Sequence, residues 1–440
     1  MLRATSQSRF PLLLGGLSHV LPLDLFRLHF SLAKRARPDV YTAPMSVNDL
    51  LDFVFRWAHL VAGIMWIGNS MLFNWLDRNL VKAAAGEGNP LSQGKIWMVH
   101  SGAFYEVEKK LLAPGEMPTP MHWFKWQNGI TWMTGISLLV VVYYMNGAAF
   151  LVDPQVRALG ASTAISLSVG SLTLGWVVYD LLWRLWGERA PRLLTALSLL
   201  LLLLAAYGYT LLFSGRAAYL QTGVLMGTIM TGNVWMRIMP SQRQLIAATQ
   251  ESRPQDVLLS QRAKQRSIHN NYMTFPLLFI MLSNHFSSLY GHHLRWGLLV
   301  LVMVGGSGVR HFMNVRYDRK PWLAPALTMG GLTLLGLMLM TRLHTPTLAP
   351  ASKEIGFARA QEIIVQRCVS CHSSHPTDAM FPVAPVGVLF DTPERIAAMA
   401  PRILERAIIT RTMPFLNRTQ MTEQERADLS AWIKNGAKLQ

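Results

Sequence analysis

Five consecutive residues carry the clearest chemistry in the chain: Cys368-Val369-Ser370-Cys371-His372. Two thiols three apart at a helix end can both reach the vinyl groups of a porphyrin as thioethers. The histidine directly after the second then lies beneath the iron, and C-x-x-C-H is the attachment pattern for c-type haem. These are the only two cysteines in 440 residues, so a disulfide framework is excluded. A redox dithiol would need a thioredoxin-like βαβ context. A zinc site would need further Cys or His ligands, which His375 alone does not supply. A thioether on the far side of the iron would raise its potential, and Met380, Met399, Met413 and Met421 are the candidates. Met413 is preferred, because Pro414 fixes a non-helical turn between two expected helices. It also lies 41 residues after His372, room for one helix to pass around the ring.

A second group of reactive side chains lies in apolar sequence, where an ionisable residue costs about 2.5–3.5 kcal/mol on insertion scales and is a functional suspect by default. Arg56, His59, Gly63, Trp66, Ser70 and Asn74 step by three or four and share one helical face. His269-Asn270-Asn271-Tyr272 opens another apolar stretch, with Asn284-His285 about 24 Å further along if the segment is helical. A third ends in Gly305-Gly306-Ser307-Gly308-Val309-Arg310-His311, whose small residues allow close approach of a neighbour or a flat ligand.

The elements that must position these groups are helices. Eight apolar stretches are long enough to cross a bilayer of about 30 Å: 50–76, 128–150, 164–186, 193–213, 217–240, 269–290, 294–313 and 323–343. A small domain follows a Pro-containing linker at residue 345, with helical patterns at 354–369, 393–410 and 422–437. Thr422 with Glu425 makes a capping box there, and Gly436 a stop. The expectation is an all-α protein: residues 45–344 an eight-helix transmembrane bundle, residues 345–440 a small all-α cytochrome c domain. Residues 1–44 differ in character, with six Lys/Arg and an apolar run broken by Pro22 and Asp24. They are read as translated upstream of a true start at Met45, in preference to a targeting segment.

Composition agrees. Half of the residues are hydrophobic (51%) and only 15% charged, against about a quarter charged in soluble proteins. The net charge of +17 does not point to nucleic acid, because the domain from Thr345 onward is nearly balanced, with 11 Lys/Arg against 9 Asp/Glu. The excess sits between spans. Connections 77–127, 187–192, 241–268 and 314–322 together carry 16 Lys/Arg, whereas 151–163, 214–216 and 291–293 carry two. The positive-inside bias makes the first set cytoplasmic and puts the C-terminal domain outside, in the periplasm of a bacterial inner membrane. Depth then sorts the histidines. His59 and His285, in the outer half, could ligate a buried haem b. His269, Arg310 and His311, near the cytoplasmic surface, could bind an anionic substrate or a second haem. The alternative for any one is a hydrogen-bonded packing residue. His100 is a weaker candidate, and His122, His292, His293 and His344 sit at span ends, where interfacial solvation accounts for them.

The C-terminal domain resembles the class I cytochrome c family across its length, on CVSCH, Met413-Pro414 and a final helix carrying Trp432. From Asp52 onward the chain resembles the bacterial membrane-bound urate oxidases, or urate hydroxylases. The marks are RWAHLVAGIMWIG at Arg56–Gly68, FYEVEK at Phe104–Lys109, HNNYMT at His269–Thr274, LSNH at Leu282–His285 and VRHF at Val309–Phe312. The resemblance implies oxidation of urate to 5-hydroxyisourate. Electrons would leave through one covalent haem c to a soluble or membrane-bound cytochrome or terminal oxidase, without hydrogen peroxide. Urate, a flat mono-anion of cytosolic origin, would suit an inner pocket with Arg310, His311 and His269 as acceptor or base. The N-terminal extension and Ala, Met and Asn replacements in the first span depart from the family pattern and could mean an altered substrate. The competing expectation is a non-enzymatic anchored cytochrome relaying electrons from quinol. A transporter is disfavoured by the absence of duplicated halves.

Overall fold

The structure, a computed structural model, describes residues 46–82, 91–113, 115–254, 256–318, 320–342 and 355–440. The expected N-terminal extension and most of the linker before the C-terminal domain lie outside them.

The described chain is mostly helical, and helices stand at all eight apolar stretches. Helix α1 (Val47–Asn79) opens with a capping box between Ser46 and Asp49, which satisfies two of the orphan amides of its first turn. Helix α2 (Trp126–Leu138) continues into a π-helical turn, Leu139–Tyr144. Then come α3 (Ala161–Leu185), α4 (Pro191–Leu212) and α5 (Gly215–Asn233). A π-helical segment, Val234–Ile238, joins α5 to α6 (Met239–Gln250). Helix α7 (Val257–Leu282) precedes α8 (Arg295–Val315) and α9 (Leu323–Arg342). Among the described residues five helices (α1, α3, α4, α8 and α9) are long and apolar enough to cross a membrane.

The bundle is organised around α5, which is buried along most of its length, including polar Gln221, Thr222 and Asn233. It packs against α2, α3, α4 and α7, while α7 also packs on α8 and α8 on α9. The glycines of α8 serve neighbours. A Cβ on Gly308 would meet Met329 of α9 at 2.9 Å, one on Gly306 would meet the backbone nitrogen of Pro276 in α7 at 3.3 Å, and Gly305 faces Thr333. Of the two uses the sequence allowed for these small residues, the structure displays helix packing.

Three local expectations are corrected. The connection between α1 and α2 contains an antiparallel hairpin, β1 (Ser92–His100) with β2 (Ala103–Lys110), its register running from Lys95 opposite Glu108 to His100 opposite Ala103. Its turn needs positive φ at Ser101 (54°) and Gly102 (76°), the tight primed turn that matches strand twist. The stretch 269–290 is not one helix: α7 begins twelve residues earlier, at Val257, and stops at Leu282, followed by a 3₁₀ turn Ser283–His285 and a single turn Ser287–Tyr290. His285 therefore sits on a break. The connection at 241–268 is largely helical, as α6 and the start of α7.

The C-terminal domain holds α10 (Phe357–Arg367), α11 (Pro393–Ala398), a helical segment over 400–409 and α12 (Glu423–Lys434). Its core gathers Ile363, Ile364, Phe390, Ile396, Ile408, Leu429 and Trp432, with Cys368 packed against it. The Thr422–Glu425 capping box forms as the sequence suggested.

Candidate functional site

Two places combine reactive side chains with built surroundings. The first is the turn after α10. The Cys368 amide donates to the Ile364 carbonyl at 2.8 Å and ends the helix; the amides of Cys371 and His372 then both turn back onto the Cys368 carbonyl, at 3.2 and 2.9 Å. Both thiols are free. Burial in the domain core, and next the neighbouring Cys371, push the Cys368 thiol up to about 12. Burial also holds the His372 imidazole below its ordinary value, against the raising effect of its bond to Val388. Its Nδ1 lies 3.2 Å from the Val388 carbonyl, which fixes the ring and leaves Nε2 to act as a ligand. Of the four methionines, Met421 is 3% exposed inside the core, Met399 packs against it, and the Met380 sulfur is 3.8 Å from Arg418 Nη1. Met413 is half-buried in non-helical chain. Its amide donates to Arg406 at 3.0 Å and its carbonyl accepts from Arg426 at 3.1 Å.

The second place is a buried polar network where α3, α5 and α7 meet. Asp180, near the end of α3, receives Arg237 from the π-helical segment after α5 and Arg266 from α7, the latter at 3.1 Å. Asp180 and Arg266 side chains are 8% and 7% exposed. One carboxylate against two guanidiniums leaves the cluster cationic. The Arg266 guanidinium also lies 4.7 Å over the Tyr179 ring. Tyr179 Oη is 2.8 Å from His269 Nδ1 and accepts from Asn233 at 3.1 Å; Asn233 also donates to Asn270 at 2.9 Å. Trp183 closes on the His269 ring, 4.3 Å between centroids.

This network separates the three inner residues that the sequence grouped. His269 points to α3. Arg310 and His311 pack on the next residues of α7: Arg310 donates to Asn271 at 3.0 Å, and His311 Nδ1 is 2.8 Å from Tyr272 Oη. Arg310 is buried and His311 exposed. The outer two stand on different elements, His59 on α1 and His285 in the turn after α7. His59 Nδ1 lies 2.9 Å from the Thr131 carbonyl, in space that Gly135 leaves open: a Cβ there would come within 2.9 Å of the ring. His285 is exposed on the break after α7. Asp180, Arg237, Arg266 and Tyr179 escaped the sequence reading. The signal was there, because an acid near the end of an apolar stretch is a functional suspect on the same cost argument that singled out the histidines.

Among the described residues no three His, Cys, Asp or Glu side chains gather in a way that could hold a metal ion. No curated protein and no solved structure gives a match to the chain. The family model described as urate oxidase N-terminal matches residues 45–341, from the capping turn of α1 to the end of α9. It covers every residue of the Asp180 network and stops before the C-x-x-C-H turn. The chain belongs to the urate oxidase N-terminal family.

Proposed function

We propose that this protein is a membrane-bound urate oxidoreductase that converts urate to 5-hydroxyisourate and delivers the electrons through a haem c in its C-terminal domain, forming no hydrogen peroxide. Urate and water give 5-hydroxyisourate, two protons and two electrons. The observation that carries the reading is a single chain joining the family's helical part to a turn built as C-x-x-C-H, with both thiols free and the imidazole held by its Nδ1.

The residues at that turn fit the group. Cys368 and Cys371 would form the thioethers, and His372 Nε2 and Met413 would ligate the iron. Haem c supplies a one-electron carrier when bound. The chain's own contribution there is geometric: the Val388 carbonyl orients His372, and the bonds of Met413 to Arg406 and Arg426 fix its place. For the substrate side, the Asp180 network offers a buried cationic cluster with a Tyr–His pair. Arg266 and Arg237 would attract the urate mono-anion. His269, its Nδ1 bonded to Tyr179, would take a proton at Nε2. Arg310 and His311 would flank this region from the other face of α7. His59 has the posture of a ligand for a membrane haem b, with His285 as its suggested partner; the ratio of c-type to b-type haem in a pyridine haemochrome spectrum tests that pairing.

We read all eight helices as spanning a bacterial inner membrane, with the C-terminal domain in the periplasm. Urate enters from the cytosol, and a cytochrome or terminal oxidase takes the electrons. The three helices that fall short of a span, α2 in length and α5 and α7 in apolarity, have internal reasons. Helix α2 passes into a π turn, α5 hides its polar residues at the bundle centre, and α7 carries the network's Arg266 and His269. The test is anaerobic. Urate added to membranes holding the protein should raise the absorption band of reduced haem c. No band rejects the reading, and reduction by quinol alone would replace it with that of a relay.

A further inference from the structure

The C-terminal domain meets the helical part at one edge. Phe150, in the connection between α2 and α3, lies 4.8 Å from the Phe415 ring and 6.4 Å from Phe381, and those two rings are 5.6 Å apart. The guanidinium of Arg216 sits 5.3 Å below Phe150 and donates to Asn284, the neighbour of His285, at 3.0 Å. Beside this aromatic cluster, Ser287 donates to Glu405 at 3.2 Å. A Cβ on Gly291 would come within 2.7 Å of the Thr410 carbonyl and 3.0 Å of the Thr412 methyl. On the C-terminal domain these contacts fall on Phe381 and on residues 405–415, the segment that contains Met413. The domain thus touches the bundle by its methionine edge, with the backbone at Gly291 close enough to exclude any larger residue.

We propose that Phe150 and Gly291 are positioning residues: they form a seat that holds the C-terminal domain by its Met413–Phe415 edge and turns the methionine side of the cofactor site toward the helical part. The inference rests on the reading of this domain as the haem c carrier. Rings on both partners and a glycine at the closest approach give the seat a fixed register, which a single polar contact would not. Electrons from the helical part then enter beside Phe415, and the rest of the domain surface stays free for the external acceptor.

The experiment compares the full-length haem-loaded protein with Phe150→Ala, Gly291→Val and Phe150→Tyr. Hydrogen exchange across Thr410–Asn417, the haem midpoint potential and the anaerobic rate of haem reduction by urate are measured on each. Phe150→Ala and Gly291→Val should raise exchange in that segment and leave the potential unchanged. They should slow urate-driven reduction about tenfold or more, as misplacement of reacting groups does. Phe150→Tyr, which keeps the ring, should behave as the unaltered chain. Unchanged exchange in both disruptive variants overturns the seat. So does a shifted potential, which would place the effect inside the haem pocket. If urate reduces no haem even in the unaltered chain, the urate reading fails, while exchange still decides whether the seat exists.

Discussion

At the scale of single residues the C-terminal turn and the inner network differ in how openly the sequence displays them. C-x-x-C-H is contiguous, so its chemistry is legible from spacing alone. The Asp180 network is assembled from α3, α5 and α7, and no spacing connects Asp180 with Arg237 and Arg266. Only the cost of an acid in apolar sequence marks it. That cost also yields a prediction. Asp180→Asn strands two guanidiniums, one with its side chain 7% exposed, and breaking a buried pair from one side costs about 3–5 kcal/mol. Thermal unfolding of the purified protein in detergent should fall sharply for Asp180→Asn and recover in part when Arg266→Gln is added. Equal losses in the single and double variants would show that the pairing is not what stabilises the site. In the C-terminal domain Glu425 gives a pH-dependent case. Burial raises its carboxyl, but hydrogen bonds from Arg367 and from the Thr422 amide outweigh it and hold the group below the ordinary glutamate value. A depressed carboxylate stabilises the fold above its unfolded value, and that contribution is lost as pH falls through the depressed one. Glu425→Gln should therefore cost about 1.5–3 kcal/mol at neutral pH, the worth of hydrogen bonds to a charged group. The gap between variant and parent should close on acidification below the usual carboxylate range, read by thermal unfolding at neutral and acid pH.

At the scale of elements, the helices were legible because their apolar runs exceed what a soluble core needs. The misses have physical causes. The hairpin was hidden inside a connection rich in charge, although Ile96 and Met98 alternate with more exposed residues and Ser101-Gly102 separates two β-favouring runs. The break after Leu282 has no proline or glycine to announce it; the chain turns there as Ser283 and Ser287 take up bonds to Ile280 and to Glu405. Tertiary contact overrode a local pattern. The hairpin can be tested through its turn. Gly102 has φ 76°, where a Cβ costs roughly 1–2 kcal/mol. Gly102→Val should raise amide exchange along Ser92–Lys110 and leave α1 and α2 unchanged, whereas Ser101→Asn, compatible with positive φ, should not. Equal protection in Gly102→Val would mean that the strands are held by something other than their turn.

At the scale of the whole molecule, the open quantity is how many helices cross the membrane, and parity makes it measurable. If only α1, α3, α4, α8 and α9 crossed, the chain would cross three more times after α3's entry, and the hairpin and the C-terminus would share a side. If all eight cross, the two lie on opposite sides. Our reading of eight draws first on packing: helix α5 packs against α2, α3, α4 and α7 and buries its polar residues among them, as a crossing helix must. Charge favours the same count, because the connections that eight spans place together hold 16 Lys/Arg against two on the other side. A phosphatase active only outside the cytoplasm, fused after Gln440, should be active; inserted at Ser101-Gly102 it should be silent, and a cytosol-dependent fluorescent reporter should give the reverse pattern. Activity of one reporter at both positions would reduce the bundle to an odd number of crossings. A fluorescent signal at both would also place Cys368 and Cys371 in the cytosol with the basic hairpin, where the electron outlet proposed for this domain could not operate.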